Sequence, residues 1–367
     1  MNQDVSLGGQ STRSGQSVRI VLISRVKRNP YVALLCEGLR QHGLRASLSD
    51  QFSAAWMWRH RREVDAIHIH WLELFFVYPT LGRSLKRWLS VMLGLILARL
   101  YGVQIVYTVH NLEQHEGQRA TLSRWGHWVI FRLARAIHVH DEETASVLRE
   151  RWGRRRSIYV IPHGNYVSAY PNTCSRAEAR RRLGIDEKSF VYLSVGRVRP
   201  NKGVEELLMT FKSLPEPDAL LLVAGEVQEV GYDQQIRALA LGDARIRLQL
   251  QFVADDELQI YFRASDFCVL PYRHVTTSGA AILSFSFQTP IIAPRLGCFV
   301  QLVGPNGERG ILYDAQSSED LREALRQARK RDLAAMREAC AQYARQLDWF
   351  VLAQAHAAMY PIPGQHE

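Results

Sequence analysis

The chain reads as an α/β protein of two doubly wound domains, each a parallel sheet covered by helices. Three observations carry that reading. Continuous Val/Ile/Leu runs recur along the whole chain, as expected for strands buried on both faces. Helical patterns separate these runs in two successive series. Between the series lies "GNYVSAYPNTCS", residues 164–175, rich in Gly, Pro and Asn and suited to a join. A length of 367 residues also exceeds what one core usually supports.

In chain order, the first seventeen residues lack an apolar segment; they read as a disordered tail rather than a signal peptide. "VRIVLIS" then predicts a buried strand, and "NPYVALLCEGLRQHG" a helix that stops at Gly43. "VDAIHIHW", "VQIVYTVHN", "AIHVHD" and "SIYVIPHG" complete the strands of the first half. In the second half the strand candidates are "FVYLSVGR", "ALLLVAGE", "IRLQLQFV", "FCVLPY" and "TPIIAP". A long, interrupted helical stretch follows from about Asp320 to Tyr360, and its last part, "LDWFVLAQAHAAMY", is expected to pack back on the first domain. The resulting division is a tail (1–17), a first domain (18–168), a second domain (169–343) and a returning helix (344–367).

The formal charge of +10 is uneven. Residues 1–170 hold 23 Lys and Arg against 12 Asp and Glu, whereas the remainder holds 23 against 24. A basic first half meets anionic partners: nucleic acid, phospholipid or a phosphorylated substrate. No zinc-finger spacing or RNA-binding motif stands in the chain, so nucleic acid is not expected as a partner. The five cysteines are scattered without a CxxC pair, which fits a reduced, cytoplasmic compartment. "GRSLKRWLSVMLGLILARLYG" has an uncharged core of eleven residues, Trp88 to Ala98, against the roughly 20 needed to cross a bilayer. It predicts a helix packed on the first sheet, with a second reading in which one face dips into a membrane and Arg83, Lys86 and Arg87 meet lipid phosphates.

Two stretches of the second half suit an anion. In "SVGRVRPNKG", Gly196 and Gly203 allow close backbone approach. Arg197 offers a planar fork and Lys202 a point charge to phosphate oxygens. In "LPYRHVTTSGAAILSFSF", Arg273, Thr277, Ser278 and Gly279 lead into a helix start whose NH groups favour anions. Both follow predicted strands, where ligands of such sheets bind. The plain alternatives are a loop with two solvated cations and an ordinary helix cap. In the first half, Glu73, His110, Glu113, His115 and Glu116 sit at or just past strand ends. Glu73 and His110 lead as candidates for a catalytic base, since His titrates near neutrality and burial raises a carboxyl. His68, His70, His138 and His140 alternate within strands; one core and one edge histidine per pair is expected, and no metal site.

The pair "GRxxPxKG" and "PYR…SG" resembles the donor half of GT-B fold glycosyltransferases, in which two Rossmann-like domains face a cleft and the last helix crosses back. That resemblance implies Arg197 and Lys202 on the diphosphate of a nucleotide sugar, Ser278 and Gly279 at a phosphate-binding helix start, and Glu226 of "VAGE" near the nucleotide. Many retaining members carry two glutamates eight apart in the second loop; here those positions are Val275 and Leu283. "RNPYV", "IHIHWLE", "YTVHNLEQHEG" and "RPNKGVE" are similar to the subgroup of bacterial GDP-mannose glycolipid β-mannosyltransferases of xanthan-type exopolysaccharide assembly. The similarity spans roughly residues 18–300 and implies an inverting transfer to a polyprenyl-diphosphate-linked glycan, with Asn29, Tyr31, Trp71, Asn111 and His115 on the acceptor. No cofactor or divalent metal is expected, because Arg, Lys and a helix start can neutralise the diphosphate. The location implied is cytoplasmic, peripheral on the anionic inner face of the plasma membrane. The alternatives are a UDP-sugar-dependent transferase of the same fold and a non-catalytic sugar-nucleotide-binding protein.

Overall fold

Two six-stranded sheets, parallel in every pairing, form the frame of this computed structural model, which describes residues 17–110 and 120–360. The first domain runs β1 (Arg19–Ile23), α1 (Tyr31–Gln41), β2 (Arg45–Ser49), α2 (Ala54–His60), β3 (Ala66–His70), α3 (Leu81–Leu100), β4 (Gln104–Thr108), α4 (Ala120–Leu133), β5 (Ala136–Val139), α5 (Glu142–Arg151) and β6 (Ile158–Val160). The second runs α6 (Arg176–Arg182), β7 (Phe190–Val195), α7 (Val204–Lys212), β8 (Ala219–Ala224), α8 (Tyr232–Ala240), β9 (Ile246–Gln249), α9 (Leu258–Ala264), β10 (Phe267–Val269), α10 (Gly279–Ser286), β11 (Ile291–Pro294), α11 (Cys298–Val303) and β12 (Gly310–Tyr313). Helices α12 (Ser318–Ala328), α13 (Leu333–Gln346) and α14 (Trp349–Ala357) close the chain.

The strand order of the first sheet is β2-β1-β3-β4-β5-β6, so the chain reverses direction between β1 and β3. In the second sheet the order β12-β11-β10-β7-β8-β9 puts the reversal between β7 and β10. At such a switch point the loops leaving adjacent strands run to opposite faces and open a crevice at the strand ends. The loops of the two predicted anion sites leave β7 and β10, which flank that crevice.

Two strands escape the sequence reading, β2 and β12, and both lie at a sheet edge. "RASLS" buries only Ala46, and "GILY" is four residues long, so neither shows the continuous apolar run of a central strand. The histidine expectation also needs correction. His68, His70, His138 and His140 are all buried, at 0 to 8% exposure. Strand side chains two apart share a face, so each HxH pair points the same way, beneath α1 and α14.

Helix α14 returns to the first domain. Gly38 on α1 lies so close to it that a Cβ there would sit 2.8 Å from that of Ala353. His42 Nε2 lies 2.7 Å from the Phe350 carbonyl, and Trp349 donates to the Asn165 carbonyl at 2.6 Å. The join is pinned as well: Asn165 donates to Ala344 O, and the Tyr166 amide to Ser286 Oγ. One buried apolar cluster therefore runs from β1 and α1 through Ile161 and Tyr166 into the second domain.

Candidate active site

The loop after β7 and the loop after β10 are built against each other. Gly203, at φ +64°, starts α7, and a Cβ on it would lie 1.9 Å from the Pro271 carbonyl. Only glycine permits this approach, so the second glycine of "GRVRPNKG" serves loop-on-loop packing. Gly225, at φ +151°, likewise meets the carbonyl of Gly196. Lys202 is thereby held with Nζ 3.4 Å from the centre of the Tyr272 ring. Burial lowers its pKa to about 8, helped by the nearby Arg199 charge. A desolvated ammonium with no carboxylate partner among the described residues is a strong anion receptor. Arg197, on the same loop, is exposed and forms no ion pair among the described residues. Arg273 leans 3.5 Å from Glu205.

At the start of α10, Ser278 accepts from the Ala281 amide and caps the helix. The Thr277 hydroxyl is buried with no hydrogen-bond partner. Gly279 lies under the Tyr166 hydroxyl. Glu226 accepts from Arg28 of the first domain at 3.1 Å and from Gln228 at 3.1 Å, and Arg28 also covers Phe252. The two domains thus touch where the nucleotide is expected.

Across the cleft, the structure brings Tyr31, Trp71 and His110 together. Trp71 adopts φ +48°, a strained conformation for a bulky residue, and stacks on His110 at 3.7 Å between centroids. His110 Nε2 lies 3.1 Å from His70 Nδ1, and burial holds its pKa well below the usual value. Tyr31 packs edge-on against both, with its hydroxyl buried and unpartnered. Asn29 uses its carbonyl for the Tyr31 amide and the Tyr166 hydroxyl, which makes it part of the frame. Glu73 is buried and its carboxyl is pushed up by desolvation. Its charge acts on Tyr107, whose hydroxyl lies 3.0 Å from His127 Nε2 of α4, on the α3–α4 side of the sheet. Of the cations before "NPYV", Lys27 pairs with Asp50 and Arg25 bonds Tyr78. Asn111 and His115, with Glu113 and Glu116, lie outside the described residues.

Sequence reasoning missed His163 and Tyr166, and weighed His140 only as one of the alternating strand histidines. His140 follows β5 as His110 follows β4, and that parallel was the available signal. A cavity of about 40 Å³ lies between the domains, lined by His140, Asp141 and His163 from one side and Thr277, Ser278 and Cys298 from the other. No group of three or more His, Cys, Asp or Glu placed to hold a metal ion occurs among the described residues.

Comparison with known proteins assigns the second domain. Residues 175–347 match the family model described as "Glycosyl transferases group 1". The chain is 26% identical, over 77% of its length and 76% of the relative's, to a GDP-mannose:glycolipid 4-beta-D-mannosyltransferase of Xanthomonas campestris pv. campestris. It is 29% identical, over 65% of its length and 56% of the relative's, to a D-inositol 3-phosphate glycosyltransferase of Rhodococcus jostii. Among solved structures it is similar to sucrose-phosphate synthase from Thermosynechococcus elongatus, with a TM-score of 0.75 at 20% identity over 94% and 98% of the two chains. It is also similar to WaaG, a glycosyltransferase involved in lipopolysaccharide biosynthesis, with a TM-score of 0.68 at 15% identity over 94% and 100%. The two-sheet frame is the GT-B architecture.

Proposed function

Because its second domain is a group 1 glycosyltransferase domain on a GT-B frame, the chain is a glycosyltransferase, and we propose that it moves mannose from GDP-mannose to a lipid-linked glycan. The observation that carries the donor side is the pairing of Lys202 and Arg197 with the α10 start at one switch point. A diphosphate there meets a desolvated cation, an exposed guanidinium and free helix NH groups at once. These neutralise it without a divalent ion, so the transfer is metal-independent. Val275 and Leu283 in place of the paired glutamates, and the likeness to a β-mannosyltransferase, favour inversion at the anomeric carbon.

The lipid-linked acceptor is supported by the outer helix layer of the first domain. Helices α2, α3 and α4 contain no acidic residue. Leu81, Leu85, Leu89, Leu93, Ile96 and Leu100 of α3 are exposed at successive turns. Trp58, Trp125 and Trp128 flank them, and a groove of about 860 Å³ lined by Trp125, Trp128, Trp152, Arg124 and Arg132 opens beside α4. No described helix is long and apolar enough to cross a membrane. An apolar stripe set among Arg and Lys, with tryptophans beside it, suits the surface of an anionic bilayer. This surface supports the reading of a peripheral enzyme on the cytoplasmic face, acting in exopolysaccharide or glycolipid synthesis.

The test is turnover of purified protein with GDP-mannose, other GDP-sugars and UDP-sugars on a polyprenyl-diphosphate glycan. Turnover with GDP-mannose, product of inverted configuration and full activity in EDTA are expected. GDP should raise the unfolding midpoint more than UDP, since a ligand at 100 times its Kd adds about 2.7 kcal/mol to stability. No turnover and no donor binding with any of them would overturn the proposal.

A further inference from the structure

The buried histidines of the first domain form a chain whose direction can be read from one carbonyl. The Ile161 carbonyl can only accept, so His138 Nε2, 2.8 Å away, carries a proton, and so does His140 Nδ1 at 3.4 Å. His138 Nδ1 is then an acceptor and takes the Thr108 hydroxyl proton at 3.0 Å. Thr108 Oγ1 in turn accepts from His68 Nε2 at 2.7 Å, and His68 Nδ1 accepts from Tyr360 at 2.6 Å. Every member is fixed in one neutral tautomer. The consequence for His140 is that Nε2 carries no proton. That nitrogen is buried, has no hydrogen-bond partner, and belongs to a residue 8% exposed. His140 lines the small space between the domains, opposite Thr277 and Ser278 at the α10 start.

We propose that His140 is the general base of the transfer, its bare Nε2 taking the proton of the attacking acceptor hydroxyl. This rests on the glycosyltransferase reading above. With the donor diphosphate on the α10 start, the anomeric carbon lies between that helix and the first sheet. The acceptor oxygen bonds to this carbon while the bond from the carbon to the phosphate oxygen breaks. The electron pair leaves with the nucleoside diphosphate, and the hydroxyl proton passes to Nε2. The imidazolium so formed is stabilised by the diphosphate, and returns the proton to solvent once the product leaves.

The surroundings suit a base that works only in the loaded enzyme. Tyr31 from α1, His110 after β4, His138 on β5, His163 after β6 and His356 from α14 face the ring, and Asp141 follows it. The Asp141 carboxylate is taken by the Thr144 amide and hydroxyl at the start of α5. Burial and the neighbouring histidines hold the His140 pKa well below the usual value in the empty protein. A bound diphosphate supplies the negative charge that raises it toward neutrality.

The experiment compares wild type with His140→Gln, using GDP-mannose and a polyprenyl-diphosphate glycan. Glutamine keeps a polar side chain of similar reach but cannot take a proton. We expect kcat to fall roughly 100- to 10,000-fold, the Kd for GDP to stay within about threefold, and the acidic limb of the rate profile to disappear. A loss of kcat below about tenfold overturns the proposal. Nitrogen-15 NMR of the wild-type histidines tests it without any variant or turnover. The expected result is a protonated Nδ1 on His140 and a pKa that rises on titration with GDP. A protonated Nε2, or no response to either GDP or UDP, overturns it. Failure of wild type to turn over any nucleotide sugar would instead count against the function, and the NMR result would then decide His140 by itself.

Discussion

Lys202 and Gly203 are adjacent, and their roles are separable. Lys202 is desolvated against Tyr272 and lacks a carboxylate among the described residues. An ionic hydrogen bond to a diphosphate contributes about 1.5–3 kcal/mol, so Lys202→Met should weaken GDP binding roughly 10- to 150-fold. Calorimetric titration would measure this, and an unchanged Kd would refute the role. Because its pKa is near 8 in the empty protein, Lys202 loses its charge as pH rises through that value. Wild-type affinity for GDP should therefore decline between pH 7 and 9, and the Lys202→Met variant should lack that decline. Gly203 is different in kind. Alanine there must adopt φ +64° and collide with the Pro271 carbonyl. Gly203→Ala should cost about 2 kcal/mol or more in stability. Denaturant unfolding would show this as a shifted midpoint, and an unshifted midpoint would contradict the packing argument.

At the level of elements, α3 is where sequence and structure inform each other most. Its uncharged core was legible as a helix, but which residues it buries was not. Val91, Met92, Leu95 and Ala98 go to the core, and Gly94 lets α2 approach at Ser53. The leucines at four-residue spacing are left outside. An all-round apolar helix gives no such division in sequence; its neighbours decide it. If this face docks on lipid, Leu89→Glu with Leu93→Glu should reduce binding to vesicles rich in phosphatidylglycerol by at least about tenfold, since two buried leucines forgo roughly 3 kcal/mol or more. Sedimentation with vesicles would measure it. Equal binding by the variant would exclude the face, while its GDP affinity should stay unchanged. The same contrast runs through the fold. Central strands announced themselves by continuous apolar runs, whereas β2 and β12, at the edges, did not. The position of Arg197, Lys202, Ser278 and Gly279 just after β7 and β10 was legible because a loop that follows a strand is local in sequence. The surroundings of His140 were not, because they are made by a carbonyl 21 residues away and by a helix start of the other domain.

At the scale of the whole fold, the dominant electrostatic fact is eight buried histidines among the described residues: His68, His70, His110, His127, His138, His140, His163 and His356. Desolvation lowers the pKa of every one, to about 4 for His127, His163 and His356. The unfolded chain protonates them near the ordinary value of about 6.5. Between about pH 6.5 and 4 the unfolded state therefore binds more protons than the folded one, and stability must fall as pH falls. Each such histidine removes up to about 1.4 kcal/mol per pH unit in that window. Glu73 opposes this, since its raised pKa lets the folded state take a proton first, but it is one group against eight. Against a typical total of about 5–15 kcal/mol, this is a large destabilisation. Urea midpoints at pH 7.5, 6.5, 5.5 and 4.5 should already drop between the first two, where the unfolded histidines become half protonated, and fall more steeply thereafter. The loss should come with separation of the domains, because His138 packs edge to face against His356 of α14, the helix that ties the second domain back to the first. A midpoint that is flat down to pH 4.5 would mean that the histidines are charged in the folded state. The tautomer chain from Tyr360 to His140 would then fail with it.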